Sequence, residues 1–230
     1  MVHSETAIPA APPVTGQRAN GQRERAKDGR RRRIVQAAHD LLRSQEIGSL
    51  SGKAIAAHAG VSLSTVYNLF GSKDAVLEAV YADDLAAYEE QVAARASADA
   101  LERLFDAVDV AMDLYGADPE FYRAIMWRRA PSEPLDAAMR LPRGRFWDGL
   151  VGAVQAEGFL RTDVDSAALT RVLVYQFSGA LSDWVAGDLT LNAFASDMTF
   201  GFAATLLPFA TPAARTRLEE RLNSARGNPA

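Results

Sequence analysis

Residues 51–73, SGKAIAAHAGVSLSTVYNLFGSK, decide the fold. Their grammar predicts two short helices joined by a tight turn, with a third helix starting at the end. Ser51 is placed as an N-cap, and Ile55, Ala56 and Ala59 recur at helical spacing, so one apolar stripe can be buried. Gly60 breaks the run. A glycine tolerates the left-handed backbone that a sharp helix-to-helix turn requires, and Val61 beside it can plug the corner. Ser62 caps the second helix. Within it Val66 and Phe70 lie four apart and face inward, which turns Ser64, Thr65 and Asn68 outward with Tyr67 at their flank. Gly71 ends that helix and Ser72 caps the next, whose first-turn Lys73 can reach a phosphate. An ordinary helical hairpin would not need every cap, turn and inward residue to fall in step, and small polar groups on the outward face suit a DNA groove.

Upstream, residues 33–42, RIVQAAHDLL, form an amphipathic pattern with Ile34, Ala37, Ala38, Leu41 and Leu42 on one side, so three helices can close a small core. Taken in order, RRRIVQAAHDLL, AIAAHAGVS and STVYNLFGSKDAVLEAV resemble the amino-terminal head of the tetracycline-repressor (TetR) family of bacterial regulators, over about residues 31–80. The resemblance implies a ligand-responsive, DNA-binding homodimer. By position it puts DNA contacts on Lys53 at the start of the second helix, on Leu63, Ser64, Thr65, Tyr67 and Asn68 in the recognition helix, and on Lys73. Leu63 and Leu69 stand where such proteins often carry a polar or aromatic group. Leu63 is thus suited to a thymine methyl, whereas the Asn68 amide can bond adenine bidentately. Tyr67 is better placed to position the head, through a phosphate oxygen, than to read sequence.

Charge divides along the chain. The net charge is −4, but residues 1–80 carry 11 Lys and Arg against 7 Asp and Glu, or +4, and the remainder carries 14 against 22, or −8. Such polarity orients the head toward phosphates and predicts binding that weakens with salt. Residues 1–28, rich in Ala, Pro, Gly and polar groups, are expected to form a disordered arm. Its basic second half leads into Arg30, Arg31, Arg32 and Arg33, of which Arg30, Arg31 and Arg32 are assigned to DNA, along the backbone or in a minor groove. The domain reading is an arm over 1–28, a helix-turn-helix domain over 29–74 and a helical effector-binding and dimerisation domain over 75–226.

The fold class expected is all-α. Body helices are placed near 72–96, 99–116, 118–129, 133–157, 165–186, 190–208 and 212–225, with Pro142 and Gly144 as sites for a kink in the fourth. The 230 residues lack cysteine, which excludes a disulfide framework, thiolate zinc sites and cysteine catalysis. No apolar run approaches the length of a membrane span and no signal-peptide pattern opens the chain, so a cytoplasmic protein is expected. His39 and His58 have no second ligand at metal spacing, and neither a metal nor a cofactor is expected.

Late in the chain Leu169, Val172, Leu173, Tyr175, Gln176, Phe177, Leu181 and Trp184, then Phe194, Met198, Phe202 and Leu206, make wide apolar faces. In the resembling family these two helices form a dimeric four-helix bundle. A two-fold dimer presents two recognition helices to successive major grooves, about 34–36 Å apart, and so reads a near-palindromic operator. The family's effector cavity lies among the earlier body helices. Its candidate lining is Phe105, Met112, Phe121, Met126, Trp127, Trp147 and Leu150, with Arg171, Tyr175 and Gln176 contributing from the later helix. Arg128 and Arg129 are further polar anchors. Aromatics with methionine make an adaptable wall for a hydrophobic ligand.

The function implied is a repressor released from an inverted-repeat operator by a small effector. Activation and ligand-independent DNA binding are open alternatives. An enzyme has least in its favour: no Ser-His-acid arrangement, phosphate-binding glycine loop or His–carboxylate cluster can be placed, and the acid pairs Asp83–Asp84 and Glu89–Glu90 read as solvated. Non-specific DNA compaction is opposed by the acidic body.

Overall fold

The computed structural model describes residues 15–44, 50–127 and 142–226. Within them the chain is all-α, with ten helices: α1 Thr15–Arg43, α2 Gly52–His58, α3 Leu63–Phe70, α4 Lys73–Ala94, α5 Ala100–Ala117, α6 Pro119–Trp127, α7 Pro142–Ala156, α8 Ser166–Ala186, α9 Leu191–Leu206 and α10 Pro212–Arg226. A 3-10 turn, Leu207–Phe209, separates the last two, and one isolated antiparallel bridge joins Leu160 to Ala210.

Local chemistry explains the boundaries. The Ser51 hydroxyl accepts from the Ala54 amide at 3.1 Å, Ser62 from Thr65 at 3.1 Å and Ser72 from Ala75 at 3.0 Å, so three successive helices begin on serine caps. Gly60 at φ +63° and Gly71 at φ +83° supply the left-handed turns between them. In the body, Asp99, Asp165 and Thr190 cap α5, α8 and α9 in the same way.

Two expectations are corrected. The arm is helical from Thr15, continuous with the first head helix. Over 17–28 (QRANGQRERAKD) most residues are good helix formers, and extending an existing helix avoids the cost of a new nucleus. Residues 1–14 lie outside the described residues, as do Arg128, Arg129 and the 133–141 part of the fourth expected body helix. Pro142 opens α7 and so does not kink it, because the first helical position has no partner for an N–H in any case.

Ile34, Ala38, Leu42, Ile55, Ala56 and Val66 are buried in the head, closed below by Val76 and Val80 of α4. The same α4 then buries Tyr81, Leu85, Tyr88 and Val92 in the body, so one rod serves both parts. Around α5 pack α4, α7 and α9, while α8 packs between α7 and α9, and α10 lies across α9. A charged clamp fastens α10: Arg217 donates to both Asp99 oxygens (2.8 and 3.0 Å) and to Glu102 (2.6 Å), while Arg221 lies 4.0 Å above the Phe105 ring. No helix among the described residues is long and apolar enough to cross a membrane.

Candidate nucleic-acid interface and body cavity

The outward face of α3 is built by its first turn. Ser62 Oγ sits 2.9 Å from Ser64 Oγ and 2.8 Å from Thr65 Oγ1 while it caps the helix, so three hydroxyls form one cluster at the amino end. Val66 is fully buried beneath, whereas Leu63 and Tyr67 are 41% and 46% exposed, and Asn68 is exposed beside them. Leu63 and Tyr67 lie four apart, on one face of α3. Their seat is Gly52: a Cβ there would lie 3.0 Å from Tyr67 Oη and 3.3 Å from Leu63 Cδ1, so the start of α2 is flush against the flank of α3. Lys53 is exposed next to it, and Lys73 is half-buried at the start of α4.

Of the arginines assigned to DNA, Arg30 is half-buried and Arg32 exposed. Arg31 is engaged within the head. Its guanidinium donates to the Leu69 carbonyl and lies 4.3 Å over the Phe70 ring, satisfying an orphan carbonyl at the end of α3. The spacing that identified the basic run gave no sign of this inward role.

A partly open cavity lies in the body, of about 30 Å³ as it stands and about 420 Å³ of unfilled space counted out to its mouth. Tyr81, Asp84, Leu85 and Tyr88 reach it from α4, Ala111, Leu114 and Tyr115 from α5, and Tyr122 and Met126 from α6. Arg143 and Trp147 of α7 and Phe177 of α8 complete the wall. Of the residues expected at an effector site, Met126 and Trp147 are in this wall; Phe105, Met112, Phe121, Leu150, Arg171, Tyr175 and Gln176 are not, and the Trp127 side chain lies outside the described residues. Phe105 packs under Arg221, and Phe121 packs on His39 with ring centroids 4.5 Å apart. Met112 and Leu150 are buried core, and Trp127 ends α6. Arg171 and Tyr175 are exposed on α8, and Gln176 turns to α9, where its amide donates to Thr205 Oγ1 at 2.9 Å. Core and cavity residues share one helical period, so spacing alone does not sort them.

Asp84 is the chief correction. Expected to be solvated, it is half-buried and accepts from the Tyr122 hydroxyl at 2.9 Å. Burial pushes its carboxyl above the usual range, against the Tyr122 bond and the charges of His39 and Arg43. Its spacing of three and four from Tyr81 and Tyr88 was the signal, since all three share a face of α4. Burial likewise raises Tyr88, Tyr115 and Tyr122, the last with Asp84 adding to the effect, so these phenols stay protonated donors. The Tyr88 hydroxyl donates to the Ala107 carbonyl at 2.9 Å.

Head and body meet next to this cavity. Arg43 of α1 pairs with Asp118 at 2.6 Å and lies 5.5 Å over Phe121, one residue from cavity-lining Tyr122. His39 packs on the same Phe121, and its Nδ1 is buried with no hydrogen-bond partner among the described residues. Burial first, and Arg43 second, hold its pKa below the usual value, while Asp84, Asp40 and Asp118 oppose them.

Residues 34–80 match the family model described as bacterial regulatory proteins, tetR family. No curated protein sequence matches the chain. Among solved structures, FadR of Thermus thermophilus, described as a TetR family transcriptional repressor in complex with lauroyl-CoA, is similar at 22% identity and a TM-score of 0.63, over 79% of this chain and 95% of that one. SmeT, the repressor of the Stenotrophomonas maltophilia multidrug efflux pump SmeDEF, is similar at 18% identity and a TM-score of 0.60, over 80% and 92%. TylP, a TetR regulator from Streptomyces fradiae, is 25% identical with a TM-score of 0.53, over 86% and 96%. Residues 34–80 are thus a tetR-family helix-turn-helix domain, followed by a helical body of the fold seen in solved TetR regulators.

Proposed function

We propose that the protein is a repressor that binds an inverted-repeat operator as a homodimer and lets go when a small apolar effector enters the body cavity. The observation that carries this reading is α4. It begins beside the recognition helix on the Ser72 cap and, two turns later, supplies Tyr81, Asp84, Leu85 and Tyr88 to the cavity wall. An occupant that displaces those side chains bears on the rod that holds α3. Two neighbours of the same fold, FadR and SmeT, are described as repressors, and FadR holds an acyl-CoA.

In this reading Asn68 reads a base edge, with Leu63, Ser64 and Thr65 beside it. Tyr67, Lys53, Lys73, Arg30 and Arg32 hold phosphates, and Arg31 acts by fixing the end of α3. We place the dimer seam on α8 and α9; Val172 and Tyr175, three apart on one face of α8, are 43% and 39% exposed. An effector that prefers the head spacing mismatched to the operator lowers DNA affinity by its differential affinity for the two states, commonly about 1–3 kcal/mol.

Selection of binding sites from random duplex DNA at near-physiological salt tests the reading. Enrichment of one inverted repeat, bound with a stoichiometry of two chains, is the expected outcome. Enrichment of nothing by a folded sample, or of an asymmetric site bound by one chain, would overturn it.

A further inference from the structure

The cavity wall carries two charged groups of opposite sign. The first, Asp84, accepts from Tyr122 and lies toward His39 and Arg43, yet burial still holds its carboxyl above the usual range, which favours the neutral form. The second, Arg143, lines the wall but makes no hydrogen bond or ion pair among the described residues. The Tyr115 hydroxyl, also in the wall, likewise donates to no described partner. Arg143 opposes, by its charge, the burial that raises both Tyr115 and Tyr88, so the guanidinium lies near both rings, while Asp84 acts on Tyr115 in the opposite sense. A cation and a hydroxyl donor in one recess, both without a partner among the described residues, are complementary to an oxyanion. Beside them the wall is ring-faced: Tyr115 and Tyr122 have centroids 4.9 Å apart, and Trp147 and Phe177 5.6 Å apart. Rings so placed take a flat apolar body by stacking or edge contact.

We propose that the cavity binds a flat, ring-bearing organic acid as its monoanion, the carboxylate held by Arg143 and the Tyr115 hydroxyl and the ring body lying among Tyr122, Trp147 and Phe177. This rests on reading the cavity as the effector site and names the chemistry it selects. Asp84, turned to Tyr122, does not compete for Arg143. A ligand cation would need Asp84 and would meet Arg143 as a like charge.

Calorimetric titration of the full chain without DNA tests the proposal, using benzoate and 2-naphthoate, their primary amides, and benzylamine and 2-naphthylmethylamine as probes. The acids should bind about tenfold or more tightly than the amides, as expected for hydrogen bonds to a charged group. Arg143→Gln should abolish that preference, and Tyr115→Phe, which removes one unused hydroxyl from an otherwise unchanged ring, should weaken the acids several-fold without lowering the melting temperature. Amines that bind more tightly than acids, acids that bind no better than amides, or an Arg143→Gln protein that keeps the preference would each overturn it. DNA titration of the selected site separates the two readings. Acid binding that leaves DNA affinity unchanged would sink the switch and spare this proposal, whereas release of DNA by an amine alone would do the reverse.

Discussion

Asn68 and His39 are polar residues whose placement decides their use. Asn68 is exposed on the face of α3 that Val66 anchors, and its amide offers donor and acceptor together. Asn68→Ala should cost about 1–3 kcal/mol at the selected operator and far less on scrambled duplex, read by fluorescence anisotropy. An equal loss on both would make Asn68 a positioning residue. His39 carries a pH dependence of known sign. Its folded pKa lies below the ordinary 6.5, so the unfolded chain takes up the proton more readily. The neutral ring's contribution is therefore complete above about pH 6.5 and is lost as the pH falls from there through the folded pKa. His39→Phe, which keeps a ring against Phe121, should flatten this part of the stability profile in thermal unfolding between pH 8 and 5.5. Profiles that stay parallel would show that other groups carry the slope. Neither Arg31 nor Asp84 was legible in this way. A basic run looks the same whether a guanidinium meets a phosphate or the Leu69 carbonyl, and Asp83 and Asp84 read as one acidic pair although only Asp84 turns inward.

Among the elements, α2 and α3 are too short, at seven and eight residues, to hold together alone, so caps and packing maintain them. Ser62→Ala removes the acceptor for the Thr65 amide and the hub of the hydroxyl cluster. It should cost about 1 kcal/mol in urea unfolding, with a matching fall in operator affinity. Unchanged stability would mean that Ser64 or Thr65 replaces the cap. The head was readable for this reason: Ser51, Gly60, Ser62 and Gly71 shape the backbone through their own chemistry, within three or four residues of themselves. The cavity was not. Phe105, Met112 and Tyr115 lie on one helix, and only the packing of α10 and α6 decides that the first is covered by Arg221 while the last faces open space. Helix α1 fell between these cases, because its residues 17–28 favour helix individually but show no apolar stripe from which to infer one.

At the level of the whole molecule, the exposed pair Val172 and Tyr175 tests the assembly. Tyr175→Glu puts a charge in the proposed seam and, exposed as Tyr175 is, should leave the protomer folded. Sedimentation velocity should then report a monomer, and affinity for the inverted repeat should fall toward that of a single half-site. A variant that remains dimeric would move the seam elsewhere. The length of α1 has a mechanical consequence as well. Its carboxyl end is pinned at the joint by Arg43 to Asp118 and by His39 on Phe121, while residues 21–28 toward its other end are exposed. Twenty-nine residues at about 1.5 Å each make a rod of about 43 Å. A tilt of about 5° at the pinned end would sweep the far tip through roughly 4 Å, more than the width of a hydrogen bond. The arm is thus a pointer, magnifying at its tip small angular changes that are hard to see at the joint.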